Sequence, residues 1–350
     1  MLLTGRIGLI GTRLINREST SLLRFNRLLY SLAHVSNYST GKTASHDNGK
    51  RSIKISTGAF VIPKSVKDPK RGLTCTPLEC GEDSYCIAEN EKEVVLGVAD
   101  GVGSWSERGI DPSVFSQTLM HNASEIAKLP SEKYLAETDR PKALIHDAFK
   151  KLIEDYKGGK NKALGSSTAC VVMIDKEGGH VKFGNLGDSG FMILSCQETK
   201  VNGFPQYRIK YQSNPRQHGF NYPYQLGLIS ENGKARDESN LTDTDTTLIV
   251  NLSLNPNDIV LVVTDGVSDN LAPTAIEGIV SNSFNVHSKA NPVSDIPRLI
   301  AEDVAFVAHK CSYDRKHQSP FSVEARKNGY NFNGGKVDDI TVVAAVVSEK

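Results

Sequence analysis

The sequence lacks both a long hydrophobic run and an excess of charge of either sign. Its 350 residues contain 41 Lys and Arg against 40 Asp and Glu, which gives a formal net charge of +1. The longest apolar runs, Ile259 to Val263 and Ile340 to Val347, are far shorter than the roughly 20 residues of a membrane helix. Basic residues form no stripe interleaved with aromatics. We therefore expect no integral membrane segment and no nucleic-acid partner.

Cysteine is scarce, and the first forty residues are almost free of acids. The six cysteines show neither a Cys-x-x-Cys pair nor zinc spacing with histidine, which indicates reduced thiols in the cytosol or mitochondrial matrix. Residues 1–40 hold five arginines, many serines and one acid, Glu18. This composition predicts a mitochondrial transit peptide, with a disordered basic extension as the alternative. A linker is predicted over 41–71 and one folded domain over 72–350.

The rest of the chain alternates short apolar runs with a few helices. Asp111-Pro112 is typical of a helix start, with Asp as N-cap and Pro at the first helical position. Further helices are predicted from Pro141 to about Gly158 and from Asp295 to His309. Strands are predicted over 94–99, 168–174, 181–186, 191–194, 247–252, 259–264 and 340–347. Strands that cluster in this way favour an α+β architecture of stacked sheets over a doubly wound parallel sheet.

Acidic residues lie beside several of these strands. Asp83, Asp100, Asp265 and Asp338 each adjoin a predicted strand, and Asp269 follows Asp265 by four positions. Carboxylates are hard oxygen donors that suit Mg²⁺ and Mn²⁺, and two such cations about 4 Å apart form a hydrolytic site. Any one Asp-Gly pair is more simply a turn. Only the joint occurrence of these acids indicates a metal centre.

Six motifs occur in a fixed order between residues 72 and 347. They are Gly81-Glu82-Asp83, Asp100-Gly101-Val102-Gly103, Gly165-Ser166-Ser167-Thr168-Ala169, Asn185-Leu186-Gly187-Asp188-Ser189, Thr264-Asp265-Gly266-Val267-Ser268-Asp269 and Asp338-Asp339-Ile340-Thr341. In this order they resemble the PPM family, the metal-dependent protein phosphatases of the 2C type. The run from Asp100 to Trp105 and the Arg-rich leader are most similar to its mitochondrial, T-cell-activation-type branch.

The resemblance implies two stacked, mainly antiparallel β-sheets flanked by α-helices in a four-layer αββα sandwich. It also implies two Mn²⁺ or Mg²⁺ ions and catalysis by Asp100, Asp265 and Asp338. Asp100 would bridge the ions, the Gly101 carbonyl would bind one, and Asp265 and Asp338 would bind the other. Glu82 and Asp83 would act through water, and Asp269 would help to bind a weaker third ion. The implied reaction is hydrolysis of phosphoserine and phosphothreonine on protein substrates, in the mitochondrial matrix, by a water that bridges the metals.

The sequence departs from the family pattern at two positions. Leu78 occupies the position of a common phosphate-binding arginine, and Val102 that of a histidine proposed as general acid. Replacements considered are Arg108, Arg216 and His218, and none is assigned. These losses support an alternative, a metal-binding pseudophosphatase that acts as a regulatory module.

Other features of the sequence carry weaker functional signals. A haloacid dehalogenase site fails, because Val98 and Val263 stand where its nucleophilic aspartate is required. Residues 165–169 and 185–189 are predicted to be framework near the metals, and Trp105 is predicted to pack.

Overall fold

The computed structural model describes residues 53–72, 75–129, 140–201, 204–232, 234–240 and 248–350. These residues belong to one compact unit, Asn48–Lys350. The predicted transit peptide over 1–40 lies outside the described residues.

Two five-stranded antiparallel sheets form the centre of this unit. The first contains β1 (Ile53–Ile62), β7 (Gly190–Val201), β8 (Phe204–Gln212), β14 (Ile259–Val263) and β15 (Ile340–Glu349), in the order β1-β15-β14-β7-β8. The second contains β2 (Asp83–Glu89), β3 (Glu93–Asp100), β5 (Ala169–Asp175), β6 (His180–Leu186) and β13 (Leu248–Ser253), in the order β13-β6-β5-β3-β2. A smaller sheet joins β4 (Gly165–Ser167), β11 (Leu226–Glu231) and β12 (Lys234–Asp237), and β9 (Gln217–Gly219) pairs with β10 (Tyr222–Pro223).

Helices cover the outer faces of both sheets. Helices α1 (Pro112–Ala127) and α2 (Arg140–Lys157) pack on the second sheet, and α4 (Pro273–His287) and α5 (Ile296–Tyr313) pack on the first. A 3-10 turn (Gly103–Arg108) and the short helices α3 (Asp265–Ser268) and α6 (Pro320–Lys327) complete the described helices. At the start of α1 the Asp111 side chain accepts a hydrogen bond from the Ser113 amide, as predicted. The predicted four-layer αββα class is confirmed.

The core explains why the strands read as continuous apolar runs. In β3, Leu96 and Val98 pack against the facing sheet, whereas Val95 and Ala99 pack against the helical layer. Because successive strand residues point to opposite faces, a strand buried on both sides must be apolar at nearly every position.

Two parts of the fold differ from the sequence-based expectation. Strand β1 pairs with β15 over ten residues, yet it lies within the segment predicted as a linker, 41–71. The folded sheet therefore begins before Gly72. Helices α4 and α6 were not predicted, although both begin with proline at the first helical position. No helix in the described ranges has the length and apolar character needed to cross a bilayer.

Candidate metal centre

The antiparallel topology brings the predicted acids to one end of the sandwich. Asp83 begins β2 and Asp100 ends β3, and the two residues are directly paired across these strands. Asp265 follows the end of β14, and Asp338 precedes the start of the neighbouring strand β15. The end of one antiparallel strand lies beside the start of the next, so residues distant in sequence meet at one edge.

A compact carboxylate cluster forms at this end. Oxygen atoms of Asp100, Asp188 and Asp265 all lie within 4.8 Å of one another. Asp188 lies in the turn between β6 and β7 and accepts a hydrogen bond of 2.8 Å from Gln217 Nε2 through its Oδ2 atom. Its Oδ1 atom is buried, and no group in the described part of the chain donates a hydrogen bond to it. Asp188 was not predicted as a site residue, although it follows an apolar strand and a glycine.

A lysine joins three of the acids on another side of the cluster. The Nζ atom of Lys336 lies 2.6 Å from Asp265 Oδ2, 2.7 Å from Asp269 Oδ2 and 3.1 Å from Asp338 Oδ2. Asp265 thus belongs both to this group and to the cluster with Asp100. The structure thereby brings together Asp100, Asp265, Asp269 and Asp338, which the sequence predicted to meet.

Glu82 lies at the edge of the site beside a second lysine. The ammonium of Lys64 contacts the Glu82 carboxylate and lies 3.6 Å from Asp339 Oδ2 and 3.9 Å from Asp338 Oδ1. Asp339 also accepts hydrogen bonds from the backbone amides of Lys64 (2.7 Å) and Glu82 (3.0 Å). Asp339 therefore joins the backbone at Lys64 to the backbone at Glu82. The predicted ligand Gly101 is close by, since its amide donates to the Glu82 carbonyl at 3.0 Å.

Asp83 has a different environment from the other acids. Its side chain is buried, and its Oδ2 atom accepts a hydrogen bond of 2.7 Å from Thr264 Oγ1. Thr264 Oγ1 in turn accepts from the Thr341 amide in β15 at 3.1 Å. Asp83 therefore links the second sheet to the first, next to the loop that carries Asp265.

Burial and mutual repulsion oppose ionisation of most of these acids. Burial raises the pKa of Asp100 well above its ordinary value, and the charges of Asp265 and Asp83 raise it further. Burial and the charge of Asp265 also raise the pKa of Asp188 to about 6 and that of Asp338 to about 6. Asp269 is shifted upward for the same two reasons, so its pKa also lies well above the ordinary value.

Asp265 is the exception. Burial alone would raise its pKa, but the charge and hydrogen bond of Lys336, together with hydrogen bonds to Asp100 and Asp269, lower it below its ordinary value. Conversely, burial alone would lower the pKa of Lys336, but Asp265, Asp269 and Asp338 raise it well above its usual value. Asp265 is therefore ionised, and it faces neighbours that resist carrying charge.

The donor set fits divalent cations with a preference for oxygen. All of the clustered ligand atoms are carboxylate oxygens, which suit Mg²⁺ and Mn²⁺. Asp188 Oδ1 is a buried acceptor without a donor, so a cation would complete it. The acids also outnumber Lys64 and Lys336, and the excess negative charge would be neutralised by bound cations.

The basic residues considered as phosphate-binding replacements lie against aromatic rings. The Arg108 guanidinium lies 5.1 Å from the centre of the Trp105 ring, and that of Arg216 lies 5.8 Å from the Tyr224 ring. His218 packs edge-on against Tyr224 at 4.0 Å between ring centroids. Trp105 itself donates a hydrogen bond of 2.6 Å to Ser166 Oγ, and it borders Gly165.

Comparison with curated proteins shows similarity to phosphatases over most of the chain. It is 33% identical over 283 residues to the protein phosphatase PTC7 homolog of Xenopus laevis, covering 81% of this chain and 86% of the relative. It is also 33% identical over 287 residues to the PTC7 homolog of Homo sapiens, covering 81% of this chain and 84% of the relative. A probable protein phosphatase 2C 80 of Arabidopsis thaliana is 31% identical over 299 residues, covering 85% of this chain and 60% of the relative.

Comparison with solved structures agrees with the curated relatives. The X-ray structure of the photosystem II phosphatase PBCP superposes with a TM-score of 0.59 at 25% sequence identity, covering 84% of this chain and 98% of that chain. No family profile matches the chain.

Proposed function

We propose that two divalent cations at the carboxylate cluster support the reaction of this chain, which belongs to the protein phosphatase 2C family and is a protein serine/threonine phosphatase. Asp100, the Gly101 carbonyl, Asp265 and Asp338 are proposed as metal ligands. Glu82 and Asp83 would act through water. Asp188 is added to the proposed metal ligands because its carboxylate lies beside those of Asp100 and Asp265. The observation that carries the proposal is the approach of Asp100, Asp188 and Asp265 to within 4.8 Å.

Two Mn²⁺ or Mg²⁺ ions, when bound, would lower the pKa of a shared water and neutralise charge on the phosphoryl oxygens. The residues of the chain hold the carboxylates in place for this chemistry. The Asp100 amide donates to Thr168 Oγ1 at 3.1 Å, and the Thr168 amide donates to the Asp100 carbonyl at 2.9 Å. Thr168 Oγ1 also lies 2.9 Å from Ser189 Oγ, beside Asp188. Asp100 and Asp188 are thus tied to one framework.

The alternative, a metal-binding pseudophosphatase, is supported by the residues at positions 78 and 102 but not by the acids, which are all present. Phosphate release from a phosphothreonine peptide separates the two functions. We expect release that requires Mn²⁺ or Mg²⁺ and stops when the metal is chelated. A folded protein that binds Mn²⁺ but releases no phosphate would favour the regulatory module.

Lys64 is our candidate for the phosphate-binding cation that the sequence lacks at Leu78. Leu78 is 71% exposed, whereas the Lys64 ammonium lies among Glu82, Asp338 and Asp339. The backbone of Lys64 is fixed by the Asp339 carboxylate, and its partly exposed ammonium lies 3.9 Å from Oδ1 of the proposed metal ligand Asp338. A cation bound beside Glu82 and Asp338 would neutralise part of their charge and weaken their ion pairs with the Lys64 ammonium. The ammonium could then bind a phosphoryl oxygen.

Replacing Lys64 by methionine should raise KM for a phosphopeptide about tenfold, because one charge-assisted hydrogen bond contributes about 1.5 kcal/mol. Mn²⁺ binding should be at least as tight as in the wild type, since a positive charge is removed from the site. Lys67→Met, at an exposed position three residues away, is the matched control and should leave KM unchanged. An unaltered KM in the Lys64 variant would rule out this role.

We further propose that the phosphatase acts on phosphoproteins of the mitochondrial matrix. The proposal rests on the composition of residues 1–40, which are rich in arginine and poor in acids. Residues 1–40 fused to a fluorescent protein should carry it into mitochondria. Diffuse fluorescence in the cytosol would reject the leader without touching the enzymatic proposal.

A further inference from the structure

The Lys336 ammonium lies among three carboxylates. It contacts Asp265, Asp269 and Asp338 at 2.6 to 3.1 Å, and its side chain is only 18% exposed. A lysine ammonium carries three N–H donors and no acceptor. Lys336 donates to Asp265 and Asp269 and forms an ion pair with Asp338. The same position, among three carboxylates, has the chemistry of a site for a small cation.

The backbone of Lys336 is fixed by the loop that carries the acids. The Lys336 amide donates to Asn270 Oδ1 at 2.9 Å, and Asn270 Nδ2 donates to the Lys336 carbonyl at 2.8 Å. Asn270 is fully buried, and its Nδ2 atom also donates to the Gly266 carbonyl at 2.9 Å. Gly266 directly follows Asp265, and Asn270 directly follows Asp269. Lys336 and these two acids therefore belong to one hydrogen-bonded unit.

Neighbouring groups restrict the Lys336 side chain further. The Phe321 ring centroid lies 5.0 Å from Nζ, so an aromatic face borders the ammonium. The preceding residue, Gly335, packs so closely that a Cβ atom there would lie 2.0 Å from the Cys311 carbonyl oxygen. The direction of Lys336 into the cluster is therefore set by packing on both sides and by the Asn270 hydrogen bonds.

We infer that Lys336 is a tethered cation that permanently occupies the side of the site bounded by Asp265, Asp269 and Asp338, so that the protein binds two divalent ions and excludes a third at Asp269. The inference rests on the proposed function, since it assigns the remaining cation positions to metal ions. It revises the expectation from the sequence that Asp269 helps to bind a weaker third ion. An ammonium 2.7 Å from Asp269 Oδ2 neutralises this carboxylate and repels a further cation beside it.

The test is the number of Mn²⁺ ions bound per chain at saturation, measured on the full-length protein by the EPR signal of free Mn²⁺ and by elemental analysis. The wild type should bind about two ions and Lys336→Met about three. The double variant Lys336→Met/Asp269→Asn should again bind about two ions, because it also lacks the Asp269 carboxylate that would hold the third. Lys336→Arg, which keeps the charge, and Lys327→Met, an exposed lysine on α6, should both bind as the wild type does.

Each outcome decides the inference. Three ions in the wild type, or two in a folded Lys336→Met variant, would overturn it while leaving the proposed function intact. No Mn²⁺ bound by the wild type would instead refute the proposed metal centre itself. If Lys336→Met does not fold, the wild-type count still decides, since a third ion in the presence of the lysine contradicts exclusion.

Discussion

Asp100→Asn should lower kcat for a phosphothreonine peptide by at least about 1,000-fold, equivalent to about 4 kcal/mol of transition-state stabilisation. Asparagine keeps the shape of the side chain but loses the charge with which Asp100 would bridge two cations. The metal-free variant should be at least as stable as the wild type at pH 8. The reason is that burial and neighbouring acids raise the pKa of Asp100 in the folded protein, so this carboxyl group opposes folding once the pH exceeds its ordinary pKa.

The opposite signs of these two effects separate a catalytic role from a structural one. Asp147→Asn, at a half-exposed position on α2, is the matched control and should change neither kcat nor the unfolding temperature. If Asp100→Asn loses activity only in proportion to a loss of folded protein, the catalytic role of Asp100 is contradicted. Mn²⁺-dependent activity within tenfold of the wild type would contradict it as well.

Gly266→Ala should destabilise the protein by about 3 kcal/mol or more. A Cβ atom at Gly266 would lie 2.1 Å from the Asp339 carbonyl oxygen and 3.2 Å from Ile340 Cγ1. The first contact is with backbone, so it can be relieved only by moving the loop of Asp265 away from the start of β15. We expect the unfolding temperature to fall by roughly 5–10 °C and activity to be lost with the displaced Asp265 carboxylate.

Gly219→Ala provides the control for this substitution. Gly219 lies in β9, and a Cβ atom there would meet no heavy atom within 4 Å. Its unfolding temperature should therefore stay within about 2 °C of the wild type, since surface substitutions away from special features usually have small effects. Equal stability of Gly266→Ala and Gly219→Ala would show that the Asp265 loop does not pack tightly against β15.

The sequence predicted most of the clustered acids but missed Asp188. Asp100 and Asp265 each follow an apolar run and precede glycine, and their joint occurrence with Asp83 and Asp338 indicated a metal centre. Asp188 also follows a strand and a glycine, but the motif around it was interpreted as framework. Its carboxylate joins the site because of where β6 and β7 end in the folded sheets, which local sequence does not show.

Lys336 shows the limit of sequence-based reasoning most clearly. A lysine two residues before an aspartate is usually a solvated side chain, and nothing local distinguishes this one. Its burial depends on Asn270, which is 66 residues away, and on the Phe321 ring. Only the folded chain brings these groups together with Asp269.

The fold class followed from the strand pattern, whereas two kinds of element were missed for different reasons. Helix α4 has Ile276, Ile279 and Val280 buried at helical spacing, so its signal is present in the sequence although the helix was not predicted. Strand β1 shows no regular alternation, since Thr57 to Ala59 are all half-buried and Phe60 to Ile62 are all buried. Its place depends on ten residues of pairing with β15, almost 290 positions later, which periodicity alone cannot reveal.

Anomalous X-ray diffraction from crystals grown with Mn²⁺ tests the metal centre most directly. Peaks of anomalous scattering should mark a pair of ions within coordination distance of the Asp100 carboxylate, one of them also bound by Asp265 and Asp338. Saturating Mn²⁺ that leaves no peak beside Asp100, or places every peak away from Asp265 and Asp338, would contradict the proposal that these strand-end carboxylates hold the catalytic ions.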